Sequence, residues 1–143
     1  MKLYLAYGSN LHAGQMADRC PDAIPVQSGI LPDYKLVFRG NSHTGVANIE
    51  PSEGHQVPYV IWAISEQDEQ ALDFYEGYPH LYTKIWLDIE IQGLPQKVMA
   101  YVMTPGHKLR RPSAYYLNVI REGYEDFGLD YAPLVRAVRE ASA

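Results

Sequence analysis

The sequence lacks the features that mark secreted, membrane-spanning and disulfide-linked proteins. Its 143 residues contain one cysteine, Cys20, so no internal disulfide can form, and a cytoplasmic location is expected. No apolar run approaches the roughly 20 residues that cross a bilayer, so no membrane partner is expected. Residues 1–7 are too short for the apolar core of a signal peptide and end at a turn, so they are interpreted as a first strand.

The sequence also has few positive charges and no metal-ligand spacing. The formal net charge is -5, and the basic residues are scattered apart from Lys108, Arg110 and Arg111. A nucleic-acid groove needs a basic face, so no nucleic-acid partner is expected. The five histidines form no His-x-x-x-His pair, and there is no Cys-x-x-Cys, so neither a metal nor another cofactor is expected. Cys20 precedes Pro21 at a predicted helix end without a glycine-rich turn, which favours a structural thiol over a nucleophile.

What is present is typical of a globular protein. Hydrophobic residues make up 47% and charged residues 20% of the chain, which predicts one domain over residues 1–143. Strand-like segments rich in Val, Ile, Tyr and Trp dominate, and several connections are too short for parallel crossovers. The predicted fold is α+β, with a small, mixed, largely antiparallel, barrel-like sheet and a few helices. The predicted strands are Lys2–Tyr7, Val26–Leu31, Tyr34–Arg39, Val46–Glu50, Val57–Ile64, Tyr82–Ile91 and Lys97–Met103.

Capping patterns predict the two main helices. Ser65 and the acidic residues after it are typical of a helix start, and the helix is predicted to run to about Glu76 and end at Gly77. A second helix begins after Pro112 and Ser113, carries apolar residues at helical spacing, and ends before Gly128. A last amphipathic segment carries Leu134, Val135 and Val138.

The turn Tyr7-Gly8-Ser9-Asn10 is the first candidate site. Glycine there permits a sharp bend or a close approach to a ligand, and the N–H groups of such a turn form a concavity for anions. The alternative is a plain strand-to-helix turn capped by Asn10. A Ser9 nucleophile needs a partner base, and none is visible from spacing.

Glu76 is the second candidate. It shares a helix face with Leu72, which is expected to point into the core, and it lies at the negative end of the helix dipole. Both effects oppose ionisation and raise the pKa of the carboxyl, as a general acid or base near neutral pH requires. Local sequence alone favours the alternative, an exposed glutamate in a frayed last turn.

The chain carries twelve tyrosines, and for each one considered separately, packing is the favoured role. In combination, however, the motifs resemble the γ-glutamylcyclotransferase family in the broad sense, which includes the AIG2-like proteins and the butirosin-pathway cyclotransferase. The ordered set covers almost the whole chain and favours catalysis by Glu76. It comprises Tyr7-Gly8-Ser9-Asn10-Leu11, Gly45-Val46-Ala47-Asn48-Ile49, Val60-Ile61-Trp62, Leu72-Asp73-x-x-Glu76-Gly77, Tyr82, Tyr101-Val102-Met103, Pro112-Ser113-x-x-Tyr116 and Gly128-Leu129.

The resemblance implies an enzyme that converts a small γ-glutamyl compound into 5-oxoproline and an amine or amino acid. It implies that Glu76 is the general acid/base and that the Tyr7 to Leu11 loop holds the γ-glutamyl group. Tyr82, Tyr101 and Tyr116 match family tyrosines that line the site. Two alternatives remain at this point: a catalytically silent module that binds a small ligand, and an amide-cleaving or acyl-transferring relative on the same fold.

Overall fold

The computed structural model describes residues 1–40 and 44–142. The strands are β1 (Lys2–Ala6), β2 (Ile24–Gly40), β3 (Val46–Ile64), β4 (Tyr82–Ile91), β5 (Leu94–Met103) and β6 (Lys108–Leu109). The helices are α1 (Ala13–Arg19), α2 (Glu66–Glu76), α3 (Ala114–Phe127) and α4 (Ala132–Ala141), and a short 3-10 helix covers Ser9–Leu11.

The six strands form one sheet in the order β4-β5-β1-β3-β2-β6. Only the β1–β5 pair is parallel, and the other neighbours in that order are antiparallel. The sheet curls into a half barrel. The predicted α+β class and the mixed, largely antiparallel sheet are therefore confirmed, with β1 at its centre.

The predicted breaks within β2 and β3 are wrong. β2 runs unbroken through Pro32, and β3 runs unbroken from Val46 through Pro51 to Ile64. The register of the pair shifts between Pro32 and Tyr34, where Asp33 has a φ of 61°. At this irregular bulge Asp33 of β2 lies opposite residues 52–55 of β3. Proline is tolerated in β2 because this strand lies near the sheet edge, where its outer neighbour is the two-residue β6.

The capping predictions for the helices are confirmed. The Ser65 side chain accepts from the Asp68 N–H while the Asp68 carboxylate accepts from the Ser65 N–H, which is the capping box. Gly77 ends α2 in the left-handed conformation. The Ser113 side chain accepts from the Tyr116 N–H at the start of α3, and Gly128 ends that helix.

One hydrophobic core joins the sheet to α1, α2, α3 and α4. Cys20 is fully buried in it, and burial together with the nearby Asp68 carboxylate raises the pKa of its thiol to about 11. A thiol with that pKa is a poor nucleophile, in agreement with the structural interpretation. Within residues 1–40 and 44–142, no helix is long and apolar enough to cross a membrane.

Candidate active site

A cavity with about 280 Å³ of non-protein space lies beside the turn that follows β1. Residues far apart in the chain meet there because β1 pairs with both β3 and β5. Eight of the nine residues predicted for the site line this cavity, and Tyr116 among them comes from α3. The lining consists of Tyr4, Tyr7, Gly8, Ser9, Asn10, Ala47, Glu76, Tyr82, Tyr101 and Tyr116.

The turn approaches β3 so closely that a side chain at position 8 would crowd its neighbours. A Cβ on Gly8 would lie 3.0 Å from the Cβ of Ala47 and 3.6 Å from the Tyr116 hydroxyl. The 3-10 helix then begins at Ser9, and the first N–H groups of such a helix have no partner within it. Ser9 and Asn10, whose N–H groups have no partner within the helix, both line the cavity, which is consistent with the anion-holding interpretation.

Leu11, which was predicted to contact the substrate, does not line this cavity. Its side chain is fully buried beneath α3, where a Cβ on Gly123 would lie 2.6 Å from the Leu11 Cβ. Leu11 therefore anchors the turn to the core. Its apolar side chain cannot reach the polar cavity because the 3-10 helix turns it to the opposite side.

Glu76 is the last residue of α2, and its carboxylate faces the turn. The Asn10 side-chain amide donates to Glu76 Oε1 at 3.3 Å. Burial raises the pKa of Glu76 to about 7, although the Arg19 guanidinium acts in the opposite direction. A carboxyl with that pKa exchanges a proton readily at neutral pH.

Arg19 fixes the orientation of the Asn10 amide. A guanidinium can only donate, and Arg19 Nη1 donates to Asn10 Oδ1. The amide nitrogen is therefore turned the other way, where it donates to the Tyr4 hydroxyl at 2.9 Å and to Glu76. The Arg19 guanidinium also lies 3.5 Å from the centre of the Tyr75 ring.

The tyrosine hydroxyls of the cavity are held by the protein itself. Tyr7 donates to the carbonyl of Tyr101 at 2.7 Å, and Tyr101 donates to Asp73 Oδ1. Ala47 of β3 holds two more: its carbonyl accepts from the Tyr82 hydroxyl and its N–H donates to the Tyr116 hydroxyl.

Burial raises the pKa of all five cavity tyrosines, namely Tyr4, Tyr7, Tyr82, Tyr101 and Tyr116, above the ordinary value. These phenols are therefore protonated at neutral pH and serve as neutral donors and acceptors. Among the residues that line the cavity, Glu76 is the one whose titration lies near neutrality.

Sequence reasoning missed Tyr4, Ala47, Arg19 and Tyr75. Tyr75 is adjacent to Glu76, and its hydroxyl lies 3.1 Å from the Ser9 hydroxyl, so Ser9 has a phenol rather than a base as its neighbour. Asn48, next to Ala47, accepts from the Met103 N–H at 2.8 Å and thereby ties β3 to β5. No local pattern assigns these residues to the site, because their partners lie on other elements.

The described part of the chain, residues 1–40 and 44–142, contains no group of three or more His, Cys, Asp or Glu arranged to hold a metal ion. No cysteine or histidine lines the cavity. The side chains present can therefore bind through hydrogen bonds and move protons through one carboxyl group.

Comparisons with known proteins place the chain among relatives of one family. Residues 4–119 match the family described as "Gamma-glutamyl cyclotransferase, AIG2-like". The human Gamma-glutamylcyclotransferase is 32% identical over 148 residues, covering 95% of this chain and 78% of the human protein. The bovine protein of the same name is 34% identical over 137 residues, covering 89% of this chain and 72% of its own. A solved structure titled "Gamma-glutamyl cyclotransferase" superimposes with a TM-score of 0.81 at 29% identity, covering 99% of this chain and 86% of that one.

Proposed function

The chain belongs to the Gamma-glutamyl cyclotransferase, AIG2-like family, and we propose that it cleaves a γ-glutamyl amide with Glu76 as general acid/base. The products are 5-oxoproline and a free amine or amino acid. The observation that carries this assignment is a single carboxyl group of pKa about 7 in a cavity whose other titratable side chains are tyrosines.

A γ-glutamyl amide brings its own nucleophile. Its α-amino nitrogen attacks the γ-carbonyl carbon, forms the C–N bond of a five-membered lactam, and displaces the amine of the original amide bond. Intramolecular attack of this kind has an effective molarity on the order of 10⁵ M or more when the groups are aligned. The cavity therefore needs no enzyme nucleophile, which agrees with Ser9 having Tyr75 as its neighbour.

Glu76 carries the proton between the two nitrogens. Its carboxylate takes a proton from the α-ammonium group, and the resulting carboxylic acid returns it to the leaving nitrogen as the amide C–N bond breaks. The attacking nitrogen gives up a second proton on becoming the lactam N–H, and Glu76 passes this proton to the released amine, which departs as an ammonium ion. Water is neither consumed nor released, so the atoms balance. A pKa of about 7 suits both steps, because the group is a stronger base than an ordinary carboxylate and remains an effective acid.

The Gly8 to Asn10 backbone supplies the oxyanion contact in this proposal. Attack on the carbonyl places negative charge on its oxygen, and preorganised N–H groups stabilise that charge. The close packing of Gly8 against Ala47 holds the turn in place. Tyr7, Tyr82, Tyr101 and Tyr116 shape the cavity around the γ-glutamyl group, with their hydroxyls fixed by the contacts described above.

Leu11 enters the proposal only as a support for the turn, since it lies outside the cavity wall. The proposed partner is a small γ-glutamyl molecule rather than a nucleic acid. A cytoplasmic location is also proposed, and the single buried thiol of Cys20 supports it.

The α-amino group provides the experimental test. The enzyme is incubated with γ-glutamyl-alanine and with its N-acetyl derivative, and 5-oxoproline is separated from glutamate by mass spectrometry. Cyclised product from the free-amine compound alone is expected, because acetylation removes the nucleophile. Linear glutamate from the free compound, or alanine release from the acetylated one, would mean that water attacks, and the cyclotransferase assignment would be wrong.

A further inference from the structure

A second pocket, which we call the outer pocket, opens directly onto the cavity of the proposed site. Its wall shares Ser9, Glu76, Tyr82 and Tyr116 with that cavity and adds Val46, Tyr75 and Leu81. The outer pocket spans about 540 Å³ of non-protein space, part of which is open to solvent. Because Glu76 borders both spaces, a molecule whose reacting bond lies beside Glu76 extends into both.

This arrangement separates the two halves of the substrate. In the proposed reaction the γ-glutamyl half lies beside the Gly8 to Asn10 turn, on the inner side of Glu76. The leaving amine receives its proton from the same carboxyl group, so its substituent points away from the turn. The outer pocket is the adjoining space that this substituent enters.

The wall of the outer pocket is mainly apolar. Val46 and Leu81 contribute aliphatic side chains, and Tyr75, Tyr82 and Tyr116 contribute rings. The polar atoms present already have partners: the hydroxyls of Ser9 and Tyr75 contact each other, and the Tyr82 hydroxyl donates to Ala47. A polar substituent that entered the pocket would therefore lose its hydrogen bonds to water and gain few from the protein.

The charges around the outer pocket also favour an apolar, uncharged substituent. Among the described residues that line the outer pocket, none is lysine, arginine or histidine, and Glu76 carries the only charge. Arg19 lies on the Tyr75 ring, but it donates to Asn10 and Gln15 and is not part of the wall. A carboxylate on the leaving half would find no cation among these described residues and would face Glu76.

We propose that the outer pocket binds the leaving half of the substrate and selects an apolar, uncharged amine substituent over an amino acid carboxylate. This inference rests on the proposed function and deepens it. It assigns specificity to Val46 and Leu81, neither of which touches the inner cavity.

Three substrates with the same γ-glutamyl half test the inference: γ-glutamyl-isopentylamide, γ-glutamyl-glycine and γ-glutamyl-putrescine, which are neutral, anionic and cationic in the leaving half. Release of 5-oxoproline gives kcat/KM for each. We expect the isopentylamide to exceed both others by about tenfold or more, since each buried CH₂ contributes to binding. A smaller preference over either compound would overturn the inference.

The variant Leu81→Lys adds a cation to the wall at a side chain that is 36% exposed. It is expected to shift the ratio of kcat/KM by about tenfold towards γ-glutamyl-glycine. Val46→Lys is the second variant, for use if the first does not fold. Leu94→Lys, at an exposed leucine outside both pockets, is the matched control and should leave the ratio unchanged. An unchanged ratio in folded Leu81→Lys or Val46→Lys would overturn the inference.

Failure of the proposed function gives a different result. If none of the three compounds yields 5-oxoproline, the cyclotransferase assignment falls. The unreacted compounds can then be titrated into the wild-type protein by calorimetry, and the order of their Kd values tests the outer pocket separately. Tighter binding of the isopentylamide than of the other two compounds supports the specificity proposed for the outer pocket, and equal or weaker binding overturns it.

Discussion

Glu76→Gln removes the proton carrier and keeps the shape of the side chain. The amide retains an oxygen that can accept from Asn10, so the cavity wall stays intact. Loss of a general acid/base lowers kcat by roughly 10²-fold or more, and we expect a loss of that size with little change in substrate affinity. Steady-state kinetics on the purified variant provide the measurement, with Glu53→Gln, at an exposed glutamate, as the control. A rate near that of the wild type would contradict the assignment.

For the same variant we also expect a difference in unfolding free energy from the wild type that depends on pH. Because the pKa of Glu76 is raised to about 7 by folding, the folded state binds more protons than the unfolded state between about pH 4.5 and 7. The free energy of unfolding of the wild type therefore loses this contribution as pH rises through that window. The free energy of unfolding of Glu76→Gln minus that of the wild type should therefore rise by about 2 kcal/mol between pH 5 and pH 8. Urea unfolding at both pH values measures this gain, and a difference that does not change with pH would speak against a buried, titrating carboxyl.

Arg19 is expected to control the pH at which Glu76 becomes a base. The guanidinium lowers the pKa of Glu76, so Arg19→Met should raise that pKa and move the acidic limb of the kcat/KM profile to higher pH. We expect activity to fall by about threefold or more at pH 6.5 and to change much less at pH 8.5. Arg19→Lys keeps the positive charge, so the acidic limb of its kcat/KM profile should lie close to the wild-type pH. An equal loss at every pH would indicate that Arg19 only holds Asn10 in place.

At the scale of elements, α3 supports the turn after β1 through a glycine. Gly123 lets the helix backbone approach Leu11, and a Cβ at position 123 would lie 2.6 Å from the Leu11 Cβ and 2.8 Å from its carbonyl carbon. Backbone cannot yield as a flexible side chain does, so an added methyl group must displace either the helix or the turn.

Gly123→Ala is therefore expected to lower the free energy of unfolding by about 1–3 kcal/mol, in spite of the higher helix propensity of alanine. It should also lower kcat, because the turn moves relative to Glu76. Tyr115→Ala, at a side chain of the same helix that is 74% exposed, is the control and should change stability by less than about 0.5 kcal/mol. Unaltered stability and kcat in Gly123→Ala would show that the turn is not held by this contact.

At the scale of the whole molecule, the proposed reaction uses one carboxyl group and backbone donors, so activity is expected to need no metal. Prolonged dialysis against EDTA should leave kcat/KM within twofold of the untreated enzyme, because the proposed reaction uses no Lewis acid. The measurement is 5-oxoproline release before and after chelation. Loss of activity that Zn²⁺ or Mg²⁺ restores would refute a metal-free reaction.

Sheet topology also acts on the scale of the whole molecule. Placing β1 between β3 and β5 brings the turn after β1 beside Ala47 and Tyr101, although these residues are 39 and 93 positions from Gly8 in the sequence. Asn48 secures this arrangement by accepting from the Met103 N–H. The site therefore exists only when the whole sheet has formed.

The sequence by itself determined the features that depend on neighbouring residues. Ser65 with Asp68, Gly77, Ser113 and Gly128 set the ends of α2 and α3, because caps act within about one turn of a helix. The ordered motifs also identified the family and pointed to Glu76. The breaks predicted within β2 and β3 were wrong, because prolines are typical of strand ends whereas here both strands continue past them with a bulge in their pairing.

Tertiary structure alone decided how these parts meet. The orientation of Asn10 depends on Arg19, nine residues away, and the side of the turn on which Leu11 lies depends on Gly123 of α3. The pKa of Glu76 follows from burial by several elements, since desolvation is set by everything packed around a group and not by its neighbours in sequence. The sequence could therefore name the carboxylate, but only the packed fold gives it a pKa near neutrality.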